Sequence, residues 1–265
     1  MVFASTCAVS TVRMLLIQAA SNSLPVVLAD VSTAFLHAPV QGEVFVRLPG
    51  MPKNRACKLH KALYGLRSSP RSFQDFLGSE LERLNFRASE VEPATYVRDD
   101  CVIATHVDDL LAVGHGALSV MEQLSRTVKL KFEAVRDDRE YKFLGRVLKK
   151  RDGWFSFSVR TGAAKLPDGT LFSQLKPVER IGGAAWNACE DSPELGSEEH
   201  AAYRSLVGSL MWLASDHLNV AAAVRCLASR VWQRAKRVAR FLARDQELWL
   251  GPVANERGAK AGDIV

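Results

Sequence analysis

The sequence predicts an α+β fold followed by a smaller helical region. Apolar alternation at every second residue and short apolar runs, the mark of strands, recur between residues 24 and 158. Apolar stripes at helical spacing interrupt them, most clearly over residues 68–86. From residue 200 to about residue 250 only the helical pattern remains.

In chain order, residues 8–20 read as a helix. "LPVVLADVSTAFL" (24–36) starts as a β-rich run, meets Asp30, and turns toward helix or loop. "EVFVRLP" (43–49) alternates like a strand and stops at Pro49. Over residues 68–86 the reading is a helix with Ser69 as its cap and Pro70 in its first turn. Phe73, Phe76, Leu77, Leu81 and Leu84 form its apolar stripe. Residues 94–98 and 101–107 read as strands, and "LLAVG" as a returning strand, which makes 101–114 a hairpin tipped by two aspartates. A helix near 117–130 and strands over "YKFLGRVLKK" and "WFSFSV" follow. Residues 160–200, rich in Gly, Pro, Ser and acidic side chains, read as a linker.

Composition bounds the possibilities. With 265 residues, 48% hydrophobic and 24% charged, the chain can build one large core or two small ones. No run is long enough to span a membrane, and the interrupted N-terminal segment "MVFASTCAVSTVRMLLIQAASNS" reads as an amphipathic helix in place of a leader peptide. Five scattered cysteines without metal-ligand spacing suggest reduced thiols in a cytosolic or nuclear setting. The net charge is +6, and residues 220–265 alone hold nine basic and four acidic residues. That asymmetry points to a polyanionic partner.

The adjacent pair Asp108–Asp109 lies inside the otherwise apolar "ATHVDDLLAVG". At a tight hairpin tip both side chains can point the same way, whereas successive residues inside a strand cannot. Neighbouring carboxylates repel, and desolvating them is costly unless a cation compensates. Asp30, ending the run "VVLA", can lie on the adjacent strand and supply a third carboxylate. Hard oxygen donors of this kind suit Mg²⁺ shared with substrate phosphates. Spacing alone also allows a plain polar turn, because Asp is common in turns.

The surrounding motifs carry a family resemblance. "ADVSTAFLHAPVQGEVFVRLPG", "CKLHKALYGLRSSPRSFQDFL", "THVDDLLAVG" and "KFEAVRDDREYKFLGRVLKKRDG", in that order and spacing, resemble the reverse transcriptase of copia-type LTR retrotransposons. "STVRMLLIQAA" looks like the helix before the first catalytic strand, and "YRSLVGSLMWLA" and "AKRVARFLARDQELWLG" resemble segments after the polymerase core. The likeness runs from about residue 5 to residue 251 and is weakest over 155–200.

The resemblance implies a polymerase palm, an antiparallel sheet backed by helices, with partial fingers over 1–155. It implies a linker or connection over 156–200 and a thumb- or connection-like helical remnant over 201–265. Asp30, Asp108 and Asp109 match the metal-binding aspartates, and Val31 the residue whose carbonyl assists them. Phe35 falls where such polymerases carry an aromatic gate against a ribose 2′-hydroxyl. Gly65, Ser69, Pro70 and Gln74 fall in the turn and helix start that support template and incoming nucleotide. The implied chemistry is attack of a primer 3′-hydroxyl on the α-phosphorus of a dNTP, assisted by two Mg²⁺ ions, with Mn²⁺ as a substitute. The implied partners are an RNA or DNA template–primer, dNTPs, and the integrase and RNase H of a Pol polyprotein, acting in cytoplasmic particles and the nucleus.

Some positions depart from the family pattern. His106 stands where Tyr is usual, and His37 replaces an Asn. The basic finger strands and an RNase H domain are not recognisable within these residues, so the alternative reading is a truncated, inactive remnant that at most binds nucleic acid. An unrelated Mg²⁺ phosphotransferase is a third reading. In the C-terminal helix Val231, Ala235, Val238 and Leu242 share one face, and Arg230, Arg234, Arg237 and Arg244 a roughly opposite one. That basic face is either simply solvated or a surface for primer–template phosphates.

Overall fold

A computed structural model describes residues 4–137, 139–161, 164–179, 181, 196–229, 232–243 and 248–252. The chain divides into two compact units. The first comprises Met1–Leu144, Lys149–Phe155 and Leu250–Val265; the second comprises Gly145–Leu148 and Ser156–Trp249.

The first unit is built on β1 (Val26–Val31), β4 (Arg87–Ala88), β5 (Thr95–Arg98), β6 (Cys101–His106), β7 (Asp109–Val113) and β8 (Leu130–Ala134), after the short pair β2 (Phe45–Val46) and β3 (Cys57–Lys58). The large sheet runs β4-β5-β6-β7-β1-β8. Its neighbours pair antiparallel throughout. This is a mixed α/β architecture with antiparallel sheets, in keeping with the expected α+β class.

One face of the sheet carries the core. Val27, Ala29 and Val31 of β1 and Leu110 and Ala112 of β7 are buried in one cluster with two helices. Helix α2 (Ser69–Arg83) contributes Phe73, Leu77 and Leu81, and α3 (Ala117–Leu124) contributes Val120, Met121 and Leu124. These positions recur every second residue in the strands and every third or fourth in the helices, so each element turns one apolar side inward. Each fully buried side chain of this size contributes roughly 1.5–3 kcal/mol. Helix α1 (Val9–Ser21) meets β6 and β7, and its buried Val12, Leu15 and Leu16 belong to no part of that cluster.

Three expectations change. The helix foreseen over 117–130 ends at Leu124, and Leu130, Phe132 and Ala134 alternate along β8 instead. Those residues have period two, and their backbone groups find partners on the second side of β1. The strand foreseen over 43–49 shrinks to Phe45–Val46, paired only with Cys57–Lys58. The cap of α2 is Ser68, without a side-chain hydrogen bond, while the Ser69 hydroxyl donates to the Leu63 carbonyl at 2.6 Å.

Gly114 closes β7 with φ +137°, and a Cβ there would lie 2.2 Å from the Asp100 carbonyl oxygen. That oxygen already accepts from the Gly116 N–H at 3.1 Å, so it cannot easily retreat. Gly114→Ala combines backbone strain with a steric clash and is expected to cost about 3 kcal/mol or more, read as a lowered urea midpoint.

A second sheet has the order β12-β11-β10-β9: β9 (Glu140–Phe143), β10 (Arg146–Arg151), β11 (Trp154–Ser158) and β12 (Trp249–Leu250). The β9–β10 turn places Leu144 and Gly145 at φ +48° and +70°, which suits a tight two-residue hairpin.

The second unit contains α4 (Ser197–Ala214), α5 (Leu218–Arg225) and α6 (Trp232–Leu242). Leu206, Leu210 and Leu213 of α4 pack with Val220 and Val224 of α5 and Ala235, Val238 and Leu242 of α6. Leu166 and Phe172, from the segment read as a linker, are buried in the same core. Backbone carbonyls of that segment also bind α6, because Arg237 Nε donates to Ile181 at 2.6 Å and Arg240 Nε to Lys176 at 2.8 Å. Asp216 is fully buried and meets Arg146 Nε at 3.0 Å, with the Val159 N–H donating to it at 3.3 Å.

Among the described residues no disulfide forms, and no helix is long and apolar enough to cross a membrane. Burial pushes the Cys7 thiol up to about 11 and the Cys101 thiol up to about 12. Both thiols are therefore protonated and act as small core side chains.

Candidate active site

The sheet brings Asp30 and Asp109 face to face. They are register partners on β1 and β7, so their side chains leave the same side of the sheet as close neighbours. The same cross-strand row continues outward on both sides. His106 pairs with Asp109, and Lys131 of β8 pairs with Asp30. Two acids at the centre of four adjacent strands are thus flanked by a histidine and a lysine.

Asp108 sits beside this row in the two-residue turn between β6 and β7. Its carbonyl accepts from the Val31 N–H at 2.8 Å, which ties the turn to the end of β1. Val107, preceding it, has φ +59°, a conformation that a β-branched residue adopts only at a cost of roughly 1–3 kcal/mol. The turn therefore holds Asp108 against local backbone preference.

Electrostatics follow from the crowding. Burial first, then Asp108 and Asp30, raise the Asp109 carboxyl above its ordinary range, while His106 opposes them. A bound cation would relieve the same repulsion. Carboxylate oxygens are hard donors that suit Mg²⁺ or Mn²⁺. Among the described residues no three His, Cys, Asp or Glu side chains converge closely enough to cage an ion alone. The donor set therefore fits an ion that takes its remaining ligands from water and substrate phosphates, the usual habit of Mg²⁺.

Phe35 lies half-buried, 4.5 Å between ring centroids from Tyr64 and 6.4 Å from Phe73. Gly65, at φ +96°, makes the turn before α2, and Pro70 stands in that helix's first turn. Gln74 accepts a hydrogen bond on Oε1 from the Ser5 N–H at 2.9 Å. Ser69 is the first correction: it is 0% exposed with its hydroxyl on Leu63, so it shapes the turn and cannot touch a substrate.

Arg234 of the C-terminal helix is the second correction. Arg234 is 8% exposed and belongs to the buried residues of its unit, because α6 is wrapped on more than one side. Arg237 is half-buried and holds the Ile181 carbonyl. Arg230 and Arg244 lie outside the described residues. Sequence reasoning also missed Lys131. The alternation of "LKFEA" was the available signal, obscured by the apolar helix that precedes it.

The paired acids thus stand on β1 and β7, two inner strands of an antiparallel sheet. The chain belongs to the reverse transcriptase (RNA-dependent DNA polymerase) family, whose sequence model matches residues 1–164. Among its relatives is the retrovirus-related Pol polyprotein from transposon RE2 of Arabidopsis thaliana, 27% identical over 256 residues. That alignment takes in 88% of this chain and 17% of the relative. The Pol polyprotein from transposon TNT 1-94 of Nicotiana tabacum is 30% identical over 123 residues, which are 43% of this chain and 9% of the relative. A putative transposon Ty5-1 protein of Saccharomyces cerevisiae is 24% identical over 204 residues, 70% of this chain and 63% of the relative. These matches agree with the resemblance that the motifs carry to retrotransposon reverse transcriptases. The chain thus spans about a sixth of the first of these relatives.

Proposed function

We propose that this chain is the catalytic palm portion of an RNA-directed DNA polymerase encoded by a copia-like retrotransposon. One observation carries the reading: Asp30 and Asp109 are direct cross-strand partners, with Asp108 in the turn tied to Val31. Asp30, Asp108 and Asp109 would hold two divalent cations, Mg²⁺ or Mn²⁺, with help from the Val31 carbonyl. Bound there, such ions supply charge neutralisation at the transferred phosphate and a more acidic primer hydroxyl.

The chain's own residues supply position. The strained Val107 turn and the Val31–Asp108 hydrogen bond fix the carboxylates before substrate arrives, so little reorganisation is left for the reaction. Phe35, supported by Tyr64 and Phe73, presents a rigid ring to the sugar of an incoming dNTP. Gln74 keeps its amide NH₂ for the nucleotide side, and Gly65 and Pro70 set the turn and helix start there. Fingers, palm and thumb assignments, and integrase and RNase H as companion domains of a polyprotein, belong to the same proposal.

The test is primer extension on poly(rA)/oligo(dT) with Mg²⁺ or Mn²⁺. Incorporation that needs template and primer, stops with EDTA and is lost in Asp108→Asn supports the reading. Equal background from the chain and from Asp108→Asn rejects it in favour of an inactive remnant.

A further inference from the structure

A cavity of about 290 Å³ opens beside the aspartates within the first unit. Asp30, Asp109 and Lys131 line its strand side, and Lys142 of β9 is part of its wall. Leu28, two residues from Asp30 on the same face of β1, adds apolar surface. Two carboxylates alone would repel any phosphate brought to this place, so the neighbouring cations matter.

The basic residues around it are not equivalent. Arg139 meets Glu133 at 3.1 Å, Lys149 meets Glu140 at 2.9 Å, and Lys150 lies 3.9 Å from Asp137. Glu133, the remaining acid of the cavity wall, is therefore already engaged. Lys131 and Lys142 are exposed, and among the described residues neither has an ion-pair partner within 4 Å. Lys131 is held in the row next to Asp30 by strand register, which fixes its backbone whatever its ammonium does.

Resting on the polymerase reading above, we propose that Lys131 and Lys142 seat a sugar-phosphate of the substrate strand in this cavity. Two ammonium groups offset the repulsion between phosphate and the two carboxylates. The surface that grips nucleic acid beside the aspartates is then β8–β9. Arg234 and Arg237 of the C-terminal helix are committed to their own unit. Lys131 and Lys142 are positioning residues, since they hold the strand and take no part in bond making.

The experiment measures binding of a fluorescent RNA–DNA primer–template to the full chain by anisotropy, in EDTA, across a salt series. Lys131→Gln and Lys142→Gln are each expected to weaken binding roughly three- to tenfold and to flatten the slope of log affinity against log salt by about 1. Lys131→Arg should keep the slope, and Lys53→Gln, at an exposed lysine outside the cavity, should match the unsubstituted chain. A lysine that only balances Asp30 would leave the slope unchanged on substitution. Unchanged affinity and slope in both Gln variants overturn the phosphate seat while leaving the polymerase reading intact. Absence of salt-dependent binding by the unsubstituted chain overturns both.

Discussion

Asp30→Asn is expected to lower template-dependent incorporation roughly 10²–10³-fold while leaving the fold intact, because a charge aimed at the transferred phosphate is lost without loss of volume. Circular dichroism and the urea midpoint check the fold, and primer extension checks the activity. Asp109→Asn should show the same loss together with a second signature. Its carboxyl is raised above the ordinary range by burial, by Asp108 and by Asp30. A carboxyl of that kind binds more protons folded than unfolded between the two values, so stability falls as pH rises through that window. At neutral pH, without divalent ions, the ionised side chain is therefore destabilising. Asp109→Asn is expected to raise the Tm at pH 7 in EDTA. That gain should vanish as pH drops below the ordinary carboxylate range, near 3.9. A lower Tm for Asp109→Asn at pH 7 would contradict this account of the site.

The largest stability effect is expected in the second unit. Asp216 is fully buried; its Oδ1 accepts from Arg146 Nε at 3.1 Å, and its Oδ2 lies 3.0 Å from the same nitrogen. Arg146 is nearly buried, and its guanidinium lies 5.7 Å from the Phe157 ring centroid. Asp216→Ala leaves that cation without its carboxylate partner and is expected to cost about 3–5 kcal/mol. Asp216→Asn, which keeps the shape and some hydrogen bonds, should cost less. The double variant Asp216→Ala with Arg146→Met should recover part of the loss, because the stranded charge is gone. Limited proteolysis within residues 156–249 reads the effect on this unit. Equal protection of Asp216→Ala and the unsubstituted chain would show the pair to be dispensable.

Much of the site was legible from local pattern. "VVLAD" reads as a strand because β-branched residues precede a polar end, and "THVDDLLAV" reads as a hairpin because acids interrupt two apolar runs. Both readings match β1, β6 and β7. Helix α2 was recognisable from Phe73, Leu77 and Leu81, whose spacing alone defines a buried face. The cap was misread by one residue because Ser68 and Ser69 are adjacent and equally suitable in composition. Which one turns inward depends on the Leu63 carbonyl, six residues away from Ser69.

Lys131 and Arg234 were hidden for a different reason. Local periodicity reflects neighbours along the chain, and it sufficed for most element types, for Asp108 in the turn and for Asp30 near the end of β1. Asp109, expected at the hairpin tip, opens β7 instead, because its backbone pairs with Asp30 and His106. Pairing across the sheet joins Asp30 to Lys131 over a hundred residues, and nothing within either segment specifies the partner. Burial of Arg234 likewise depends on what covers α6, including the segment that binds it through Ile181 and Lys176. Folding chose those neighbours through packing and register across the sheet and core. The row His106–Asp109–Asp30–Lys131 exists only once four strands from three stretches of chain stand side by side.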